Sequence, residues 1–254
     1  MITIKTKEEI EILKEGGKIL AEVLRELAKL AKPGVSTGFL NQKAREMILA
    51  RGVLPSFEGY RPSFSGRPYP AAVCASLNNV VVHGLPSEKV ILKEGDILKL
   101  DLGVKYKNFF TDAAITIGIG KITDEKNKLI NAAKRALELA INAAKPGNHI
   151  GDIGHAIENY VEKEGLSVVK VLVGHGVGYA VHEEPSIPNY GKIGEGTVLK
   201  SGMVLAIEPM VTLESGEVKL SKDGFGYETM DGSLSAHFEH TVAVMGDGCL
   251  ILTK

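Results

Sequence analysis

The stretch LKEGDILKLDLGVKYKNFFTDAAITI, residues 92–117, decides how the fold is read. Apolar residues dominate 97–104 and 109–117, and a short polar break separates them, as in an antiparallel hairpin. A tight turn at Tyr106-Lys107 sets Asp101 directly opposite Asp112. Strand side chains alternate faces, so Asp101 shares a face with Lys99 and Gly103, and Asp112 shares one with Ala114 and Thr116. Directly opposed side chains have Cβ atoms roughly 4.5–5.5 Å apart, and like charges there repel. Two acids facing each other in apolar strands therefore require a positive partner between them.

The same pattern recurs further along the chain. LKEGDILKLDLGV (92–104) aligns without gaps on LKSGMVLAIEPMV (199–211), and Asp101 falls on Glu208. AKPGVSTGFLNQKAREMILARG (31–52) aligns likewise on AKPGNHIGDIGHAIENYVEKEG (144–165), sharing AKPG and two further glycines. Ahead of the first copy, Thr6 and Glu9 form a capping box for a long helix, and a second helix follows Ser36 and ends before Gly52. Ahead of the second copy, helical patterns run from about Asp124 to Ala144 and from about Ile150 to Glu164. Short strands run from Ala71 to His83, and strands fill the C-terminal part, with turns at Ser215-Gly216, Asp223-Gly224 and Asp231-Gly232. The reading is a single α+β domain over 1–254. Its two halves, about 1–118 and 119–254, are related by a pseudo-twofold axis, and each brings one acid toward that axis.

Composition sets the bounds. With 254 residues, 44% of them hydrophobic and 24% charged, the chain can bury a sizeable core without staples. Two cysteines, Cys74 and Cys249, make no disulfide framework, and MITIKTKEE has no apolar signal region. No apolar run reaches membrane-spanning length, so the expected location is the cytoplasm, away from any membrane. A net charge of −1 gives no global nucleic-acid signature.

Buried carboxylates persist only when paired, hydrogen-bonded or bound to a cation. Asp101, Asp112 and Glu208 lie in apolar strand patterns without evident basic partners, and Glu239 in SAHFEHTVAV, sharing a face with His237 and Thr241, is a fourth. His175 in VLVGHGVG is flanked by glycines that let other backbone come close. A lone strand acid usually faces water at an edge, but four in separate strands with one imidazole suit two divalent cations. Two such ions ~3.5–4 Å apart serve hydrolysis, and the oxygen-rich set favours Mn, Fe, Co or Zn. They would also turn the Asp101–Asp112 repulsion into attraction. His83 and His182, each directly after an apolar run, fit ordinary core histidines when taken alone. His149, His155 and His240 read as surface or structural residues, Glu183 and Glu184 as a solvated loop edge or an outer support of the site, and Cys74 as a small buried apolar residue.

VVVHGLP, LKLDLGV, FFTDAAITIGIG, GHGVGYAVHEEP, LAIEPMV and SAHFEHTVAV, in this order and spacing, resemble type I methionine aminopeptidases of the short bacterial kind, over nearly the whole chain. The resemblance implies the pita-bread fold, a curved antiparallel sheet with helices behind it. It implies Asp101, Asp112, His175, Glu208 and Glu239 as ligands of two cations, with Asp112 and Glu239 bridging. It implies His83 and His182 as catalytic non-ligands that also contact substrate, and it implies removal of the initiator methionine from nascent proteins when the second residue is small, by attack of a cation-bridging water or hydroxide. Glu208 is then the expected general base. Tyr69, Cys74, Val181 and Phe225 are the residues implied around the methionine side chain. A monomer acting near the ribosome is expected. The chain departs from its relatives at Val181, where a bulkier Leu or Phe is frequent, at Phe225, where some relatives have Trp, and in a longer loop, GYRPSFSGRPYP (59–70). Prolidases of the same fold usually carry a further N-terminal domain. Non-catalytic relatives have lost ligands that are all present here.

Overall fold

The structure, a computed structural model, describes residues 1–61, 66–246 and 248–254. Among the described residues, four helices stand where the sequence places them. α1 (Lys7–Leu30) is opened by the Thr6/Glu9 capping box, in which Glu9 N–H donates to Thr6 Oγ1 at 3.2 Å and Thr6 N–H donates to Glu9 Oε2 at 2.8 Å. Its buried stripe of Ile10, Leu13, Leu20, Leu24 and Leu27 follows helical spacing and lies on the central hairpin. Gly16 permits that approach, since a Cβ there would meet Tyr106 Cβ at 3.1 Å, and the adjacent Gly17 leaves room for the backbone of Leu252. α2 (Thr37–Ala50) is capped by Ser36 Oγ, α3 (Asp124–Ala143) by Thr123, and α4 (Ile150–Lys163) starts after His149.

A nine-stranded antiparallel sheet carries the site. Across it run β1 (Leu54–Pro55), β4 (Ile97–Tyr106), β5 (Phe109–Gly118), β14 (Glu239–Met245), β9 (Val204–Ile207), β7 (Val173–Gly176) and β8 (Glu183–Pro188). β2 (Cys74–Leu77) joins the edge of β4, and β15 (Gly248–Ile251) joins β14. Two three-stranded sheets complete the fold. One is β13 (Ser235–His237), β10 (Met210–Thr212) and β6 (Ser167–Val168), and the other is β11 (Val218–Leu220), β12 (Tyr227–Thr229) and β3 (Val80–Val82). This antiparallel sheet with four helices is the pita-bread architecture.

The apolar core is divided much as the chain is. One cluster gathers Leu20 to Ile119 with Val181 and Phe225, and another gathers Leu129 to Val244 with Ile97. Each fully buried leucine, isoleucine or valine in them contributes ~1.5–3 kcal/mol. The two AKPG segments make matching bonds. Gly34 and Gly147, both at φ +89°, donate to Leu92 O and Leu199 O, while Leu92 and Leu199 donate back to Val35 O and Asn148 O.

The central hairpin is not in the expected register. Its turn is Lys107-Asn108, one residue later than Tyr106-Lys107, with φ of 46° and 69° at the two positions. Two-residue hairpins favour turns with positive φ at both central residues, because these match the strand twist, and asparagine tolerates that conformation. Asp112 is therefore paired with Gly103, and Asp101 with Ala114. The two acids share a face diagonally instead of head-on, which leaves more room between the carboxylates.

Candidate active site

Five strands that are consecutive in the sheet, β4, β5, β14, β9 and β7, bring Asp101, Asp112, Glu239, Glu208 and His175 to one place. Register explains how. Asp101 and Glu239 are both partners of Ala114, so the three stand abreast. One pleat away, Thr241 and His175 are both partners of Ala206, and Thr241 Oγ1 donates to Asp112 O at 2.7 Å while accepting from Asp112 N–H at 2.9 Å. The intervening face positions are Ala114, Ala206 and Gly103, all small, so a hollow remains between the ligand-type side chains. Glu208 departs from the strand reading. It lies past the end of β9, followed by Pro209, where the chain leaves the large sheet for β10. His237 and Glu239 likewise belong to different sheets, because the presumed single strand breaks at Phe238.

The chemistry of this set fits divalent cations. All five residues are buried or nearly so, and Asp101 Oδ1 and Asp112 Oδ1 are buried without a hydrogen-bond partner. Ligand atoms of Asp112, His175 and Glu239 lie within 4.8 Å of one another. His175 Nδ1 lies 2.9 Å from Gly176 O, a contact that requires the proton on Nδ1 and leaves Nε2 as a lone-pair donor. That Nε2 lies 3.6 Å from Glu208 Oε1. Without a counter-charge, burial pushes the Asp112 carboxyl up to about 7. Burial, and then the surrounding carboxylates, raise Asp101, Glu208 and Glu239 well above the usual range. Burial lowers His175 to about 3, with the neighbouring His182 acting in the same direction. Neutral imidazole beside crowded, unsatisfied carboxylates has the donor chemistry that a divalent cation takes.

The hollow continues into a cavity whose wall includes Phe57, Tyr60, Tyr69, Cys74 and Phe225, with His83 and His182 beside the acids. Cys74 is the β2 partner of Asp101, which puts this thiol next to the carboxylates, and burial raises its pKa well above the ordinary thiol range. Tyr69 meets Phe225 edge to face at 5.4 Å. His83 is partly buried with φ of +58°, a conformation that a non-glycine residue holds only when its surroundings enforce it. His182 stands at the mouth, its ring 4.2 Å from that of His175, and Tyr60 Oη lies 2.7 Å from its Nδ1. Burial of the imidazoles lowers both His83 and His182 to about 4.

The structure does not bring Val181 to the cavity wall: it is buried in the cluster with Tyr69, Cys74 and Phe225. Phe57 and Tyr60 join the wall without a local sequence signal, although Tyr60 sits in the longer 59–70 loop. Residues 62–65 of that loop lie outside the described residues. From the same loop, Arg67 reaches across the chain, donating to Asp223 O at 2.6 Å and stacking 4.9 Å over the Phe225 ring. Glu183 is no solvated loop edge. Its carboxylate meets Lys5 Nζ at 2.7 Å and accepts from Thr3 Oγ1 and the Ala180 N–H, tying the segment that bears His182 to the N-terminus. Lys99 was expected merely to share a face with Asp101. It is fully buried and donates to Asn78 O, Ser235 O and Ser235 Oγ instead of to an acid.

A sheet that gathers an acid-rich cation set beside an apolar chamber defines a class of metal-dependent peptidases. The model of metallopeptidase family M24 matches residues 11–245, and the chain belongs to that family. Within the family, the methionine aminopeptidase of Aquifex aeolicus is 46% identical over 255 residues, covering 100% of this chain and 99% of that one. The crystal structure of methionine aminopeptidase from Thermotoga maritima is similar at a TM-score of 0.96 and 43% identity, over 100% of both chains. Prolidase from Pyrococcus furiosus is similar at a TM-score of 0.79 and 25% identity, over 99% of this chain and 65% of that one. Among the described residues, no helix is long and apolar enough to cross a membrane.

Proposed function

We propose that this chain removes the N-terminal initiator methionine from nascent polypeptides whose second residue is small. The observation that carries the reading is the convergence of Asp101, Asp112, His175 and Glu239 from four strands, with Glu208 just past the end of β9, beside a chamber walled by Tyr69, Cys74 and Phe225. The five would hold two divalent cations, Co, Mn, Fe or Zn, with Asp112 and Glu239 shared between them. Bound there, the ions supply Lewis-acid polarisation and a water that is acidic near neutral pH.

The remaining steps fall to the chain's own side chains. Glu208 takes the proton of the attacking water on its carboxylate and passes it to the leaving amine. His182, with Nδ1 engaged by Tyr60, presents Nε2 to the scissile carbonyl oxygen and stabilises the charge that develops there. His83, held in its unusual backbone conformation, contacts the scissile amide. The methionine side chain packs against the aromatic wall, where a thioether is favourable. The Asp101 side of the acid cluster reads the free α-amine, which makes the activity that of an aminopeptidase.

The matching AKPG bonds support a single catalytic domain of two halves, 1–118 and 119–254. We infer a cytoplasmic monomer acting on chains as they leave the ribosome. A proline-directed peptidase would use the same cations with a different side-chain pocket. Near-full-length identity of 46% to a methionine aminopeptidase supports the methionine reading over it. Release of Met from Met-Ala-Ser, compared with Met-Leu-Ser and with an X-Pro dipeptide, tests this. Fast cleavage of Met-Ala-Ser alone is expected, and preferential cleavage of X-Pro would overturn the assignment.

A further inference from the structure

His237 has no part in the mechanism above, yet it is the neighbour of Glu208 on the side away from His175. Its residue is 1% exposed, and neither ring nitrogen has a hydrogen-bond partner. A buried polar group without a partner is costly, and a phenylalanine would fill the same space without that cost. The imidazole Nε2 lies 3.4 Å from Glu208 Oε2, while Glu208 Oε1 faces His175 Nε2 at 3.6 Å. The two oxygens of one carboxylate thus look in different directions, one into the ligand set and the other at His237. The ring is itself held in place. Its backbone is clamped by Thr116, whose Oγ1 donates to His237 O at 2.6 Å and accepts from His237 N–H at 2.9 Å, and its strand pairs it with Met210 in register.

We propose that His237 is a positioning residue for Glu208, donating its Nε2–H to Oε2 so that Oε1 is fixed toward the cation site. The inference rests on Glu208 being a ligand and base, as read above. The 3.4 Å separation is long for a hydrogen bond, and contacts around catalytic groups often tighten only when the reacting complex forms. Glu208 needs such a support more than the other acids do. Asp101, Asp112 and Glu239 are fixed by sheet pairing, whereas Glu208 lies off the end of β9. Hydrogen bonds that orient a ligating carboxylate are typically worth ~10–100-fold in metal affinity or activity.

The test compares the wild type with His237→Phe, which keeps a ring and removes both nitrogens, and with His237→Gln, which restores an N–H donor. Cobalt(II) binding to chelated full-length protein is followed by calorimetry. The ring tautomer in the metal-free wild type is read by ¹⁵N NMR. His237→Phe should weaken cobalt binding by ~10–100-fold and lower kcat on Met-Ala-Ser while leaving KM near the wild-type value. His237→Gln should recover most of both, and the NMR spectrum should show the proton on Nε2. Wild-type cobalt affinity in His237→Phe, equal impairment of the Phe and Gln variants, or a proton found on Nδ1 alone would each overturn the inference. If the wild type binds no cobalt, the metal-centre reading is what fails, and the tautomer still decides whether His237 donates to Glu208.

Discussion

Removing His182 tests the division of labour between ligands and substrate-facing groups. Its ring stands at the cavity mouth, outside the cluster formed by Asp112, His175 and Glu239. His182→Ala should therefore leave cation content near the wild-type value. It should cost ~10²–10³ in kcat, about 2.7–4 kcal/mol, as expected when one oxyanion donor is lost. Tyr60 holds Nδ1 of that imidazole through a contact of 2.7 Å. Tyr60→Phe removes one such bond, worth ~0.5–1.5 kcal/mol net, or roughly 2–13-fold in rate at 1.36 kcal/mol per decade. In a His182→Ala background the hydroxyl has no imidazole left to hold, so the same substitution should cost nothing. The coupling energy of the cycle should then equal the whole single effect of Tyr60→Phe. The assay is kcat/KM on Met-Ala-Ser at fixed Mn(II), with metal content measured on each variant. Additive losses would show that Tyr60 acts through the pocket wall alone. Loss of metal from His182→Ala would show that His182 is a ligand.

Three further outcomes follow from the same geometry. Asp112→Asn should abolish activity and lose metal, because in the proposed site this carboxylate would serve both ions; atomic absorption and peptide release check it, and retained metal would count against sharing. In chelated protein, thermal stability should fall as pH rises from 6.5 to 8. Burial raises Asp112 to about 7 and lifts the other three acids well above the usual carboxylate range, so the folded state binds more protons than the unfolded chain. His83, His175, His182 and His237, lowered to between about 3 and about 4, oppose this only below their unfolded values of ~6.5, and Lys99, lowered by burial, opposes it within the window as one group against four acids. Mn(II) should remove the slope, and a melting temperature that climbs with pH in metal-free protein would refute the argument. Val181→Phe overpacks a buried site at ~1–3 kcal/mol, about 2–12 °C in Tm for a chain of this size. It should also shift the ratio of Met- to Phe-Ala-Ser cleavage through Tyr69 and Phe225, and unchanged ratios would show that the cluster behind the wall does not set pocket shape.

Asp101, Asp112, His175 and Glu239 were legible in the sequence because each interrupts an apolar pattern that strand burial otherwise explains. The AKPG repeat gave the order of helices and strands for the same reason: local spacing encodes local structure. The hairpin register was not legible, since shifting the turn by one residue depends on whether Lys107 and Asn108 accept positive φ. Glu208 read as a strand residue because apolar neighbours surround it, and only the chain's exit to a second sheet shows otherwise. Tyr60, Phe57 and His237 reach the site through pairings distant in sequence, which no local pattern carries. Lys99 gave no sign of its three backbone and hydroxyl acceptors, because they come from residues 78 and 235.

The claim on which the account depends is that five residues, four on strands of the large sheet and Glu208 just past the end of β9, hold two cations. Crystals grown from chelated protein and soaked in Mn(II), with anomalous scattering recorded near the manganese edge, measure this directly. The account predicts two peaks ~3.5–4 Å apart, enclosed by Asp101, Asp112, His175, Glu208 and Glu239, with Asp112 and Glu239 touching both. A single peak, or peaks that leave Asp101 or Glu208 uncoordinated, would contradict it.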